Sequence, residues 1–264
     1  MSRLDKIKEI NAMLIADQPQ FAKDAGQFPD DEKNQRRLMR SLMNMRFPDE
    51  PMSDAFYRLQ DEVLIDETNE KGIVHVPDLE TCALDHRIAL WQGDITRLDA
   101  DAIVNAANSQ MIGCFIPCHG CIDNAIHSAA GLQLKDECIR LMREQKHEEP
   151  TGVAKITKAY NLPAKRIIHT VGPIIRGEVQ PEDEEALASC YKMCMQMAEY
   201  EGLKSIAFCC ISTGEFAFPN QRAAEIAVET VRKCFADGSP IKKVVFNVFK
   251  DEDLAIYQNL LGQA

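Results

Sequence analysis

Residues 205–220 read SIAFCCISTGEFAFPN, a stretch from which the fold class can be inferred. The first seven residues are small or apolar in unbroken succession, which is typical of a central strand covered by helices on both faces. The polar turn that follows leads into a helical pattern beginning near Asn220. A buried strand that passes through a short turn into a helix predicts an α/β fold with a largely parallel sheet.

Short apolar runs and longer helical patterns alternate in the same way from Gly72 to the C-terminus. They predict six strands, at residues 73–76, 87–92, 102–105, 166–170, 205–211 and 243–249. They also predict five helices, at residues 123–130, 132–144, 182–201, 220–236 and 252–261. Residues 1–72 show only apolar stripes at helical spacing and no motif that carries chemistry. We therefore expect a helical N-terminal extension over 1–72, packed on a main domain over 73–264, with an independent binding module as the alternative reading of the extension.

Composition excludes several classes of function. The chain has 264 residues and a net charge of −11, which argues against affinity for a nucleic-acid backbone. It contains no apolar run near the roughly 18 residues that a membrane span needs, and its charged N-terminus is unlike a signal peptide. We therefore expect a cytoplasmic protein that binds neither nucleic acid nor membrane. Its ten cysteines are then expected to be thiols or metal ligands rather than disulfides.

The first polar turns of the main domain follow predicted strands, where α/β sheets place ligand sites. One turn is GDIT at residues 93–96. Gly-Asp is common turn chemistry, and Asp94 could simply cap a helix, so this turn alone is weak evidence of function. The next strand ends in NAAN at residues 105–108, and its two amide side chains require a polar ligand or turn bonding to satisfy them.

The second loop and the helix after it, residues 113–127, read GCFIPCHGCIDNAIH. Three thiols and an imidazole lie close together in this loop, at Cys114, Cys118, His119 and Cys121. These are ligand types that zinc prefers. The spacing matches neither a pair of CxxC knuckles nor a zinc finger, so reduced thiols without a metal are the alternative.

The third loop, STGEFAFPN at residues 212–220, joins the central strand to a helix. Small residues let the backbone curl so that successive N–H groups face an anion, and the helix N-terminus adds a favourable field. The chain contains neither GxxxxGK[ST] nor GxGxxG. P-loop phosphotransfer and hydride chemistry therefore lose support.

Five motifs, taken in order, resemble the macrodomain family from about residue 73 onward: GDIT, IVNAAN, CIDNAIHSAAG, HTVGP and STGEFAFP. In ordinary macrodomains the second loop is glycine-rich, whereas here Cys114, His119 and Cys121 stand where glycines are expected. Together with the helical extension, this substitution resembles the zinc-dependent branch, whose members are microbial ADP-ribosyl hydrolases. The resemblance implies a three-layer α/β/α fold with a mixed, largely parallel central sheet.

The resemblance also implies roles for individual residues. Asp94 and the Ile95 backbone would bind adenine, and Phe249 would stack on it. Asn105 and Asn108 would line the distal ribose. The diphosphate would be held by main-chain N–H groups of Ser212, Thr213, Gly214, Glu215 and Phe216. One zinc ion would be held by Cys114, His119 and Cys121, leaving Cys118 as an extra thiol.

The expected reaction is hydrolysis at the anomeric carbon of the distal ribose. It would release ADP-ribose from a mono-ADP-ribosylated protein, with an Asp or Glu ester as the expected linkage. A three-ligand zinc keeps an open coordination position, as catalytic zinc does. Asp123 is the candidate to position or deprotonate the nucleophile beside Asn105 and Asn108, although Asp also caps helices well. The alternatives are a module that binds ADP-ribose without cleaving it, and a four-ligand structural zinc site in an unrelated nucleotide-binding protein.

Overall fold

A six-stranded mixed sheet forms the centre of the main domain in the computed structural model, which describes residues 1–47 and 50–262. The strands are β1 (Ile88–Gln92), β2 (Ala102–Ala106), β3 (Ala154–Lys158), β4 (Arg166–Thr170), β5 (Ser205–Phe208) and β6 (Lys243–Val248). Their order across the sheet is β1-β6-β5-β2-β4-β3. Neighbouring strands are parallel except for the β3–β4 pair. The four strands β1, β6, β5 and β2 therefore have their carboxyl ends at one edge of the sheet.

Helices pack against this sheet, and the strands carry buried apolar residues throughout. The helices of the main domain are α5 (Ile122–Ala130), α6 (Leu132–Gln145), α7 (Pro181–Tyr200), α8 (Asn220–Ala236) and α9 (Asp251–Leu261). Helices α7, α8 and α9 pack side by side, whereas α5 and α6 pack together and contact β2 and β3. This arrangement confirms the expected α/β architecture. No helix among the described residues is long and apolar enough to cross a membrane.

The sequence patterns locate five of the six strands. The strand predicted at 73–76 is wrong: Val74 makes a single bridge to Leu98, and Val76–Asp78 form a short 3₁₀ turn. Pro77 explains this, because it has no N–H to donate to a ladder. Strand β3 was missed. It is the antiparallel edge strand and carries lysines, which natural edge strands often do.

The N-terminal extension is helical, as expected. Its helices are α1 (Arg3–Asp17), α2 (Ala22–Ala25), α3 (Glu32–Met45) and α4 (Asp54–Lys71). The predicted apolar stripes form a core of their own, which includes Ile10, Leu42 and Val63, with Leu132 of α6 as its member from the main domain. Ser53 caps α4 by accepting a hydrogen bond from the N–H of Phe56 at 3.3 Å. The extension is thus folded around its own core and joined to the main domain at α5 and α6.

Candidate active site

The thiols and imidazole of residues 113–121, here called the cysteine loop, converge on one point. The ligand atoms of Cys114, His119 and Cys121 all lie within 4.8 Å of one another, and the Sγ of Cys114 is 3.6 Å from Nδ1 of His119. All three residues are half-buried. Burial raises the pKa of the Cys121 thiol to about 12. A thiol of this kind ionises readily only beside a cation, so two thiols and one imidazole at this spacing fit a zinc ion.

Cys118 points away from this cluster. Its Sγ lies 3.3 Å from Oγ of Ser41 and 3.6 Å from the carbonyl oxygen of Arg37, both on α3. Its φ angle of 52° is in the left-handed region. Adjacent residues thus turn to opposite sides, with His119 facing the cluster and Cys118 facing the extension. The geometry brings together the three residues predicted as ligands and leaves the fourth thiol outside.

A buried polar group is centred on Asp123, which follows Cys121 by two residues at the start of α5. Nδ2 of Asn105 donates to Oδ1 of Asp123 at 2.8 Å and lies 3.1 Å from Nδ1 of His169. Burial raises the pKa of Asp123 to about 6, while the hydrogen bond from Asn105 opposes this shift. The second oxygen, Oδ2, has no hydrogen-bond partner among the described residues. The helix is capped instead by the thiol of Cys121, so Asp123 has an acceptor atom that secondary structure does not use.

Asn105 and Asn108 differ in their surroundings. Asn105 is completely buried, and its hydrogen bond to Oδ1 of Asp123 orients that carboxylate. Asn108 is half-buried and holds the start of the cysteine loop: its Nδ2 donates to the Gly113 carbonyl at 3.1 Å and its Oδ1 accepts from the Gln110 N–H at 3.0 Å. Turn bonding therefore satisfies Asn108 without a ligand.

Two buried histidines lie close to Asp123. His169 has both ring nitrogens engaged, with Asn105 at 3.1 Å and with Oγ1 of Thr157 at 2.9 Å. Burial lowers its pKa to about 3. Nε2 of His127 lies 3.5 Å from Oδ1 of Asp123. The ligand atoms of His127, His169 and Cys138 also lie within 4.8 Å of one another. Because both ring nitrogens of His169 are already hydrogen-bonded, we assign these three residues to the core rather than to a second metal centre.

The third loop, residues 212–219, has main-chain N–H groups without hydrogen-bond partners among the described residues. Within residues 1–47 and 50–262, none of the N–H groups of Ser212, Thr213, Gly214, Glu215 and Phe216 donates to another residue. The loop closes on itself, because the N–H of Phe218 donates to the Ser212 carbonyl at 2.9 Å. Ser212 adopts a φ of 66°, and its Oγ is buried without a partner. Uncompensated donors and a strained backbone are typical of an anion-binding loop.

The predicted adenine residues lie side by side at the far end of the same edge. Gln92 of β1 pairs with Val248 of β6, which places the GDIT turn next to Phe249. Phe249 is 76% exposed, which leaves its ring available for stacking. Oδ1 of Asp94 accepts from the N–H of Thr96 at 3.0 Å, so the capping role that we considered for it is real. Its Oδ2 lies 3.7 Å from Nζ of Lys71, at the end of α4.

Sequence reasoning missed the contacts that the extension makes with the cysteine loop. Arg40 of α3 donates to the His119 carbonyl oxygen, and Asn44 of α3 accepts from the N–H of Cys118. No motif in residues 1–72 indicated these contacts. It also missed two glycines at close approaches. A Cβ on Gly113 would lie 3.1 Å from the His127 ring, and one on Gly172 would lie 2.0 Å from Oγ of Ser212. Gly172 is the glycine of the HTVGP motif, so that motif could have indicated the close approach to Ser212.

Comparison with known proteins identifies the family of this chain. The model of the Macro domain family matches residues 104–227. The chain is 52% identical over 238 residues to a protein-ADP-ribose hydrolase of Treponema medium, covering 89% of this chain and 91% of that one. It is 48% identical over 227 residues to a protein-ADP-ribose hydrolase of Staphylococcus aureus (strain MRSA252), covering 86% and 84%.

Solved structures agree in fold. A Trypanosoma brucei macrodomain in complex with ADP-ribose has a TM-score of 0.64 at 30% identity, covering 84% of this chain and 95% of that one. An Oceanobacillus iheyensis macrodomain with ADP has a TM-score of 0.60 at 36% identity, covering 67% and 90%. The chain therefore belongs to the macrodomain family, and it is a hydrolase.

Proposed function

We propose that this protein is a zinc-dependent hydrolase that removes mono-ADP-ribose from modified protein side chains. One observation carries the proposal: the three-ligand cluster borders the anion-binding loop, with Nε2 of His119 3.5 Å from Oε1 of Glu215. A metal held by Cys114, His119 and Cys121 would lie at one end of a ligand whose diphosphate occupies residues 212–216. When bound there, zinc would supply Lewis acidity to the oxygen atoms at the distal ribose.

The residues of the chain supply the remaining steps. The loop N–H groups hold the diphosphate, and the GDIT turn with Phe249 holds the adenine. Oδ2 of Asp123 is the acceptor for a proton from the attacking water or from a ribose hydroxyl. Asn105 fixes the orientation of that carboxylate through its 2.8 Å hydrogen bond. General-base catalysis of this kind is typically worth about a hundredfold to ten-thousandfold in rate.

We propose an ester to Asp or Glu as the linkage that is cleaved. A carboxylate leaving group has a pKa near 4 and departs without a proton, whereas an alkoxide or amide would require a general acid. An ester therefore makes the least demand on the groups that border this site.

The alternative is a module that binds ADP-ribose without cleaving it, and single-turnover release of ADP-ribose from Glu-linked, Ser-linked and Arg-linked substrates separates the two. We expect release from the ester, loss of release with chelator, and recovery with added zinc. His119→Ala and Asp123→Ala should lose far more rate than ADP-ribose affinity, because interactions made in the transition state act on rate. Zinc-loaded protein that binds every substrate and releases nothing would contradict the proposal.

A further inference from the structure

The N-terminal extension makes direct hydrogen bonds to the cysteine loop. Arg40 and Asn44 lie one turn apart on α3 and face the same side of that helix. Arg40 is half-buried and Asn44 is buried. Between them they contact the loop backbone at Cys118 and His119. The extension therefore touches the loop at one of the three ligand residues and at the residue beside it.

Arg40 donates hydrogen bonds to two uncharged groups beside the predicted zinc ligands. Its Nη2 donates to the carbonyl oxygen of His119 at 3.1 Å and to Oδ1 of Asn124 at 2.6 Å, and its Nε donates to the same Oδ1 at 3.0 Å. Among residues 1–47 and 50–262 it makes no ion pair, although the chain carries an excess of carboxylates. By contrast, Arg36, one turn earlier on α3, pairs with Glu67 of α4.

Asn124 carries the contact from Arg40 to a second ligand. It is completely buried, and its Nδ2 donates to the carbonyl oxygen of Ile116 at 3.0 Å. Its main-chain N–H donates to the Sγ of Cys121 at 3.4 Å. Hydrogen bonds of this kind around metal ligands fix their orientation, and removing them typically costs about 10-fold to 100-fold in metal affinity.

Asn44 holds the loop where its backbone is strained. Its Oδ1 accepts from the N–H of Cys118 at 3.0 Å, and its Nδ2 donates to Oγ of Ser128 on α5 at 3.1 Å. Cys118 needs such support, because in the left-handed region the Cβ of a residue other than glycine lies too close to the following carbonyl oxygen. The same conformation turns Cys118 toward α3 and leaves His119 facing Cys114 and Cys121.

We propose that Arg40 and Asn44 are positioning residues, through which the extension sets the affinity of the cysteine loop for its metal. This inference rests on the proposed function. It makes the extension a part of the active site rather than a separate module. The described hydrogen bonds of Arg40 go to His119 and Asn124 and to no residue of the anion-binding loop, so the affinity for ADP-ribose should not depend on them.

The full-length chain tests this with Arg40→Met and the matched control Arg36→Met, which removes an arginine from the same helix without touching the loop. Zinc dissociation constants come from competition with a chromophoric chelator, and ADP-ribose affinity from calorimetry. We expect Arg40→Met to bind zinc 10-fold to 100-fold more weakly and ADP-ribose within 2-fold of wild type. Arg36→Met should bind both as wild type does. Arg40→Lys, which keeps one donor, should recover part of the zinc affinity.

Zinc affinity that is unchanged in Arg40→Met would overturn the positioning role while leaving the proposed function intact. An equal loss in Arg36→Met would also overturn it, because the effect would then come from a general loosening of α3. Asn44→Leu provides a second variant if Arg40→Met does not fold, with the same expected loss of zinc affinity. A wild-type chain that binds no zinc would remove the proposed zinc dependence and this inference together.

Discussion

Nε2 of His119 and Oε1 of Glu215 lie 3.5 Å apart, which joins two loops that follow different strands. His119 belongs to the cysteine loop after β2, and Glu215 belongs to the loop after β5. A ligand whose diphosphate lies on the anion-binding loop would therefore have its distal ribose beside the cysteine loop.

Cys118→Ala should keep most of the bound zinc, and Cys121→Ala should lose it. The two variants remove the same atom from neighbouring positions of one loop, but only Cys121 lies in the cluster with Cys114 and His119. Elemental analysis after gentle purification measures the metal, and we expect about one equivalent in the wild type. Equal loss in both variants would indicate a closed four-ligand site, which is structural rather than catalytic.

Phe249→Ala should weaken ADP-ribose binding by roughly 5-fold to 150-fold, because stacking of a base on an aromatic ring is worth about 1–3 kcal/mol. Tyr200→Ala is the matched control: its ring is 87% exposed but lies at the end of α7, before β5 begins. Calorimetry on both folded variants makes the comparison. Unchanged affinity in Phe249→Ala would remove this residue from the site.

Gly172→Ala should impair ADP-ribose binding and hydrolysis together. The added Cβ would lie 2.0 Å from Oγ of Ser212 and 2.9 Å from Cγ2 of Ile211, so these two side chains, or the backbone that carries them into the anion-binding loop, must shift. Overpacking of this kind typically costs about 1–3 kcal/mol. The double variant Gly172→Ala, Ser212→Gly removes the nearer contact and should recover part of the affinity. Recovery would be absent if Gly172 acted through another contact.

Stability should fall in acid because His169 is buried in its neutral form. Its folded pKa of about 3 lies below the unfolded value near 6.5. The contribution of neutral His169 to the free energy of unfolding is therefore complete above pH 6.5. It is lost as the pH falls toward 3, by up to about 1.4 kcal/mol per pH unit. Urea unfolding of wild type and His169→Gln across this range measures it. Parallel pH profiles for the two proteins would contradict the assignment.

The fold was predictable where one residue pattern decides the outcome. The strand at 166–170 and the helix at 220–236 have the predicted bounds, because an apolar run or a 3.6-residue period has no competitor there. Strand β3 was not predictable in this way, since its lysines suit an edge whose position only the tertiary fold sets. At the site, residue types were enough to nominate Cys114, His119 and Cys121. The separation of Cys118 from them depends on Ser41 and Asn44, which lie more than 70 residues earlier in the chain.

The strand order β1-β6-β5-β2 places four loops in a row along one edge of the sheet. The GDIT turn follows β1, Phe249 follows β6, the anion-binding loop follows β5, and the cysteine loop follows β2. Neighbouring strands are about 4.8 Å apart, so the outer two of these four loops are separated by roughly 14 Å. On the proposed function, a nucleotide without the distal ribose would contact the loops that follow β1, β6 and β5 but would not reach the cysteine loop after β2. If the proposed function is right, the length of a ligand therefore determines whether it reaches Cys114, His119 and Cys121.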